Sequence, residues 1–383
     1  MSRDRRLVLI EGIEKERKSK VIAYVLNDRA GSEGSIGPDL VEEMYRLLWE
    51  LKPLKRTPLD LFLFAHGGDL TVPWQLVGMV REMFDLFNVI IPHKAHGPAT
   101  MIALGADSII MGERGTLSPI EALIPGDSWW KSQNMGSQGL SVEDAKAAMS
   151  LMESFGRVRE KQKIDAFLRL MDKTPPLLLG SLHKQAEQIR MDCMDLLEKR
   201  KRRFSTGRNR KIVNHLVSGL ASSHHAITRS EAVKQIGLKQ VRRDKAIEPL
   251  SWELLTLYEE EFTAAEPFHP EAPPGSFEEE ERVFPGRKLA FMESARRTRI
   301  LIEDRKVQQI RETAPSIRLD PQIILPALEI SDESSEDHVW SYIEGWLQAN
   351  LPSLLDEAFS RFRKSLPVSG YKWTSMNRRW VDE

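Results

Sequence analysis

The chain has 383 residues, 41% hydrophobic and 29% charged, which is enough for a sizeable core and sets a soft prior of two domains. A formal net charge of −1 excludes bulk electrostatic attraction to nucleic acid or an anionic membrane surface. The single cysteine, Cys193, excludes an internal disulfide and fits a reducing cytoplasm.

No apolar run reaches the ~18 residues of a spanning helix. The N-terminal segment has too short an apolar core for a secretion signal, so the expected location is the cytoplasm. Residues 3–20 are charged, with an apolar stripe at Leu7, Leu9 or Ile10, and Ile13. This spacing predicts an amphipathic helix that packs on the body or on a partner. Val21–Leu26 is the first strand, 27–38 a Gly-, Ser- and Asp-rich loop, and Asp39–Trp49 a helix.

Residues 59–121 organise everything else. Leu59–Phe64 is a short apolar run bounded by Pro58 and Gly67-Gly68, as expected of a strand buried on both faces. From Val72 to Phe87 apolar residues recur at helical spacing. Val89–Ile91 is the next strand, stopped by Pro92. Pro98–Ala106 is a small-residue helix and Ser108–Met111 a further strand. Two consecutive strand–glycine turn–helix units imply an α/β domain of crossover connections. Its strand ends and helix N-termini share one edge, where ligands bind. Gly67-Gly68 offers unobstructed backbone N–H groups there, and the Lys94–Pro98 turn opens an electropositive helix end. Together these are the parts of an oxyanion site.

The words FAHGGD, PWQLV, VREM, VIIPHKAH, ATMIALGADSIIM and LSPIE stand in an order and spacing that resembles the Clp-fold serine peptidases. The likeness is to the serine dehydrogenase proteinase family, relatives of signal peptide peptidase A, and runs from about Val21 to about Leu238. It implies Clp/crotonase-like repeated ββα units, a homo-oligomer, and a peptide or protein ligand. Several members of that family are tethered to membranes; this sequence shows no such anchor. The family carries a serine in the turn. Here the turn reads Ala95-His96-Gly97-Pro98-Ala99-Thr100, so Gly97 occupies the nucleophile position. The family's second oxyanion donor is the residue after that serine, and Pro98 has no backbone N–H to give.

Residues 112–140 are loop-like. Relatives carry P-I-D-P where this chain has Pro119-Ile120-Glu121-Ala122. Trp129-Trp130 reads equally as a lid or interface anchor and as the plug of its own loop. Ser141, followed by Glu143 and Asp144, is a helix-capping signature, and a second helix over Leu182–Lys201 holds Cys193 as an inert thiol. The basic run 199–211 is a solvated helix end in preference to a phosphate or acidic-partner patch; Phe204 alone does not make a base-stacking surface. Thr228 and Glu231 form a capping box for a helix that Gly237 ends. His224-His225 has no serine to activate. Residues 259–285 are acidic and proline-rich, a linker. Beyond them Lys288–Glu293 and Thr298–Glu303 read as strands, with a third near Val307–Ile310. Pro321–Ile330 reads as extended, 331–337 as an acidic loop, and His338–Phe362 as an amphipathic helix broken or kinked at Pro352. The expected division is therefore a peptidase-type domain over 1–258, a linker over 259–285, and a small α+β appendage over 286–383.

The candidate cleft comprises Gly67, Gly68, Asp69, Lys94, His96, Gly97 and Pro98. Asp69 reads as a cap on the next helix, and Lys94 as a side chain that either meets a bound carboxylate or snorkels outward. His93 and His96 would need a third ligand such as Asp69 or Glu121 to hold a metal, so neither a metal nor a cofactor is expected. Thr100 and Ser118 are the hydroxyls that could replace the missing serine, although neither has a base at fixed spacing. Three readings follow. One is a non-catalytic binding or scaffold subunit, one a hydrolase with a displaced nucleophile, and one a crotonase-like acyl-thioester enzyme, which needs two backbone donors and a carboxylate.

Overall fold

The apolar residues of the central strands alternate between two faces, and each face meets its own helices. The computed structural model describes residues 2–51, 57–121, 123–124, 140–154, 164–165, 167–169, 172, 176–220, 222, 224–268, 281–311 and 336–383. Trp129-Trp130, 269–280, Pro321–Ile330 and 331–335 lie outside these. The chain divides into two compact units. The first is Met1–Phe268, Lys288–Ile302 and Arg379–Glu383; the second is His269–Arg287 and Glu303–Arg378.

In chain order the elements are α1 (Ser2–Arg17), β1 (Lys20–Leu26), α2 (Asp39–Leu51), β2 (Leu59–Phe64), α3 (Val72–Met83), β3 (Phe87–Ile91), β4 (Lys94–Ala95), α4 (Pro98–Leu104), β5 (Ser108–Met111), β6 (Thr116–Leu117), β7 (Leu123–Ile124) and β8 (Leu140–Ser141). There follow α5 (Val142–Ser154), α6 (Pro176–Glu198), α7 (Thr206–Ser218), β9 (Ile227–Thr228), α8 (Arg229–Glu231) running into a π-helical turn, β10 (Val241–Arg242) and α9 (Glu248–Glu261). The chain closes with β11 (Glu281–Ser294), β12 (Thr298–Arg311), α10 (Glu336–Ser365) and β13 (Val368–Asp382).

The fold is mixed α/β with one large mixed sheet in the order β10-β5-β3-β2-β1-β11-β12-β13. The strands from β10 to β1 are parallel. β11 then adds antiparallel to β1, with Ile22 opposite Ser294 and Leu26 opposite Ala290. Ile22, Tyr24, Leu61, Leu63, Val89 and Ile109 face a core shared with α2, α3, α4, α6 and α7. Val21, Ala23, Val25, Phe62, Phe64, Ile90 and Ile110 face a second core under α1 and α9. Burial on both faces explains why these strands read as continuous apolar runs rather than alternating ones.

α1 joins the second core through Arg6, Leu9, Ile10 and Ile13, one face at helical spacing. The predicted caps are present. Ser141 N donates to Asp144 Oδ2 at 2.8 Å and Asp144 N to Ser141 Oγ at 3.0 Å. Thr228 accepts from Glu231 N, and Gly237 ends the π-turn in a left-handed conformation.

Several expectations are corrected. Glu259–Glu261 belong to α9 and 281–285 to β11, so both ends of the proposed linker are regular structure. Val307–Ile310 is not a third strand but the continuation of β12, because no turn residue interrupts it. α10 starts at Glu336 and runs through Pro352 without ending. β13 has no counterpart in the sequence reading. In the second unit by itself, Arg287 pairs with Glu303 at 2.8 Å, both side chains buried, and Arg305 lies over Trp373.

The basic run is only in part a solvated helix end. Arg200 is buried and its guanidinium sits 3.9 Å from the centre of the Phe204 ring, with Arg208 5.2 Å from the same ring. Burial pulls Arg200 down to about 10. Cys193 is likewise buried, which pushes its thiol well up. Among the described residues no helix is long and apolar enough to cross a membrane.

Candidate functional site

The end of β2 and the turn before α4 meet. Ala65 N donates to Lys94 O at 3.0 Å and His96 N to Ala65 O at 2.9 Å, a short parallel bridge between Ala65 and Ala95. This lays Gly97 against the double-glycine bend: a Cβ built on Gly97 would come 3.9 Å from Gly67 Cα and nothing nearer. Gly97 has φ 57° and ψ −117°, a conformation that L side chains rarely adopt. Sharp strand-to-helix turns of this kind are where hydrolases hold a nucleophile. Pro98 opens α4, where its fixed φ is accommodated and a missing N–H leaves no helical bond unmade.

The double-glycine bend is shaped by the loop before α2. Ile36 N donates to Gly67 O at 3.0 Å and Asp69 N to Ile36 O at 2.9 Å. Gly68 has φ 139°, and a Cβ there would fall 2.4 Å from both Ile36 N and Ile36 O, so this position admits only glycine. Among the described residues neither Gly67 nor Gly68 donates its N–H to another group, which leaves backbone donors at the cleft. Asp69 does not cap α3 as expected: the N-cap is Thr71, without a side-chain cap bond, and Asp69 Oδ1 instead accepts from Thr71 N at 2.8 Å and Thr71 Oγ1 at 2.7 Å, which fastens the turn before the helix.

The hydroxyls near Gly97 are already engaged. Thr100 is fully buried and donates to Ala95 O at 2.7 Å while accepting from Ser118 N at 3.1 Å. Ser118 is 3% exposed; its Oγ accepts from Gly97 N at 2.8 Å and donates to Pro119 O at 2.8 Å. Both hydroxyls tie the turn to the β6 end.

Lys94 Nζ neither snorkels nor stands free: it pairs with Asp28 Oδ2 at 2.5 Å. Asp28 Oδ1 is 3.5 Å from His66 Nδ1. His96 Nε2 lies 3.0 Å from Thr116 Oγ1, and the His93 ring stacks on Phe64. Burial holds His66, His93 and His96 below the usual imidazole range; Lys94 adds to the effect on each, and His96 is brought down to about 4. All three are neutral at pH 7. Among the described residues no group of three or more His, Cys, Asp or Glu is placed to hold a metal ion.

No family model matches the chain. Two uncharacterized proteins of Methanocaldococcus jannaschii are similar in sequence. MJ1495 is 26% identical over 261 residues, which are 66% of this chain and 76% of that protein. MJ0137 is 30% identical over 122 residues, 30% of this chain and 42% of that protein. Among solved structures, the 1510-N membrane-bound stomatin-specific protease aligns in two variant forms, one in complex with a substrate peptide. The TM-scores are 0.32 and 0.33 at 15% and 14% identity, over 54% and 56% of this chain and 73% of that one in each case. A probable enoyl-CoA hydratase/isomerase from Mycobacterium abscessus aligns at a TM-score of 0.19 and 13% identity, over 59% of this chain and 84% of that one. Likeness at this level says nothing of activity.

Sequence reasoning brought Gly67, Gly68, Asp69, Lys94, His96, Gly97 and Pro98 to one edge, and these residues do lie on the two adjoining turns. It missed Asp28 and His66. Asp28 sits in the loop after β1, and only its charge, opposite in sign to Lys94, could have suggested the pairing. His225 forms a contact of 2.8 Å with Glu231 Oε1 within its own segment.

Proposed function

We propose that this protein is a non-catalytic binding subunit with a peptidase-type cleft. The observation that carries the reading is the position of Gly97: beside Gly67, at a positive φ, with Pro98 next in line. A serine there would face the backbone donors of Gly67-Gly68; glycine supplies no attacking atom, and proline withholds the second donor. Loss of one such donor costs about 10²–10³ in rate in a well-studied hydrolase. The engaged hydroxyls of Thr100 and Ser118 support the same reading over a displaced nucleophile. An extended peptide segment is the ligand class that suits free backbone N–H groups at a strand end.

The test is labelling by a fluorophosphonate probe. The native chain is expected to remain unlabelled. The double variant Gly97→Ser with Pro98→Ala is expected to gain label, because it restores the atom and the donor together. Gly97→Ala with Pro98→Ala carries the same backbone strain without the hydroxyl and controls for folding. Label on the native chain that disappears in Thr100→Ala or Ser118→Ala would overturn the proposal in favour of the displaced nucleophile.

A further inference from the structure

A cavity of about 530 Å³ opens on the other face of the sheet from α4, at the ends of β3 and β5. Gly97, Gly67 and Gly68 take no part in it. Its walls include Ile90, Ile110, Ile247, Pro249 and Trp252, an apolar lining of the size that small-molecule sites have. Several polar residues interrupt that lining, among them Glu113, Arg243, Asp244, Lys245 and Glu248, and the side chains of two more, Ser251 and Arg114, make no hydrogen bond or ion pair among the described residues.

The first is Ser251. It is 5% exposed, in the first turns of α9, and its Oγ makes no hydrogen bond. A buried hydroxyl without a partner is costly, and Ser251 is one of the residues that line the cavity. The second is Arg114, whose guanidinium stacks over Trp252 at 4.7 Å. Among the described residues no carboxylate pairs with it; Glu259 acts on it only through space. The carboxylates around the cavity are all engaged instead. Glu248 accepts from Glu113 N at 2.7 Å and pairs with Arg243 at 2.7 Å, Glu113 also pairs with Arg243, and Asp244 pairs with Arg17 at 3.0 Å. The acids are neutralised from within, and the unpaired charge at the cavity is positive.

We propose that this cavity binds a small amphipathic monocarboxylate, its hydrocarbon part between Ile90, Ile110 and Trp252 and its polar end within reach of Arg114 and Ser251. A neutral molecule would leave the charge of Arg114 without a counter-ion. Arg114 on an aromatic face is prearranged for the planar, two-point geometry of a carboxylate.

Octanoate is the probe, titrated into the full chain by isothermal calorimetry with 1-octanol as the neutral control. The expected result is one saturable site per chain, with octanol about tenfold weaker or more. Arg114→Gln, at an exposed position, should weaken octanoate by a similar factor and leave octanol unchanged. Ser251→Ala should also weaken octanoate, yet raise the melting temperature of the unliganded chain, because it removes an unpartnered buried hydroxyl and places a better helix former. That opposition separates a ligand contact from a structural role. No saturable heat with octanoate overturns the proposal, as does octanoate binding that is indifferent to Arg114→Gln. The glycine turn is untouched by these variants, so the outcome is independent of the peptidase-type cleft.

Discussion

Gly67, Gly68 and Gly97 lie within one small region, yet a methyl group would meet different surroundings at each. Nothing lies within 4 Å of a Cβ at Gly67. At Gly97 there is room, but the backbone is at φ 57°, and strain there is worth about 1–3 kcal/mol. At Gly68 the added atom overlaps Ile36 backbone at 2.4 Å, which no side-chain rotation can relieve. Alanine substitution should therefore be nearly neutral at 67, destabilise by about 1–3 kcal/mol at 97, and destabilise most at 68, where the Ile36 bridge must break. Urea denaturation of the three variants checks the order; equal effects at 67 and 68 would refute the geometry of the bend. At this scale the sequence was informative where a residue's chemistry is intrinsic. Gly97 has no side chain and Pro98 no N–H in any fold. It was uninformative where partners come from afar: Lys94 meets Asp28, and Thr100 meets Ser118, through packing that no local spacing records.

The turn before α4 is also where protonation bears on stability. His66, His93 and His96 flank one short segment, and burial opposes the charged form of each. Their folded pKa values lie below the ordinary imidazole value of 6.5, so below that pH the unfolded chain takes up protons that the folded chain refuses. Their contribution is complete above about pH 6.5 and is lost as pH falls towards about 4, where His96 itself protonates. His96 alone should account for roughly 2 kcal/mol of that loss once solvent screening is allowed for. Chemical denaturation at pH 7.5 and at pH 5 should show the native chain weakened at the lower pH, and His96→Gln should reduce the difference. A difference that is the same in the variant would place the pH sensitivity elsewhere. Among elements, β2 and β5 had the bounds expected of them, because proline, glycine and polar residues bracket their apolar runs. α3 and α4 ended earlier than their apolar periodicity implied: periodicity persists past Met83 into Phe84 and Phe87, which pack in the core from outside the helix.

Over the whole molecule, the contacts that close the first unit come from residues far apart in the chain. β11 covers the edge of β1 through Ala290–Ser294. Glu293, fully buried, accepts from Arg6 Nε at 2.9 Å, from Tyr258 Oη at 2.5 Å and from Thr298 Oγ1 at 2.5 Å, and Glu383 also pairs with Arg6 at 2.5 Å. Each partner is unremarkable in its own segment: an arginine in a charged helix, a glutamate near the end of a strand. Their convergence depends on topology, which is why Lys288–Glu293 was recognisable as a strand but not as a neighbour of Val21–Leu26. A chain ending at Phe268 would contain every residue of the glycine cleft and would keep the Arg6–Glu261 pair, yet it would lose Glu293 and Glu383 from beside the buried Arg6 and leave β1 with an open edge. Breaking a buried ion pair from one side costs about 3–5 kcal/mol, a large part of the roughly 5–15 kcal/mol that holds a domain folded, and the bare edge invites association. The truncated chain should therefore be expressed as aggregate or unfold without a cooperative transition. Full-length Glu293→Gln, which keeps the shape and removes the charge, should fold with a lowered denaturation midpoint. A cooperative transition in the truncated chain at the native midpoint would show that the cleft-bearing segment closes its own core without Lys288–Ile302.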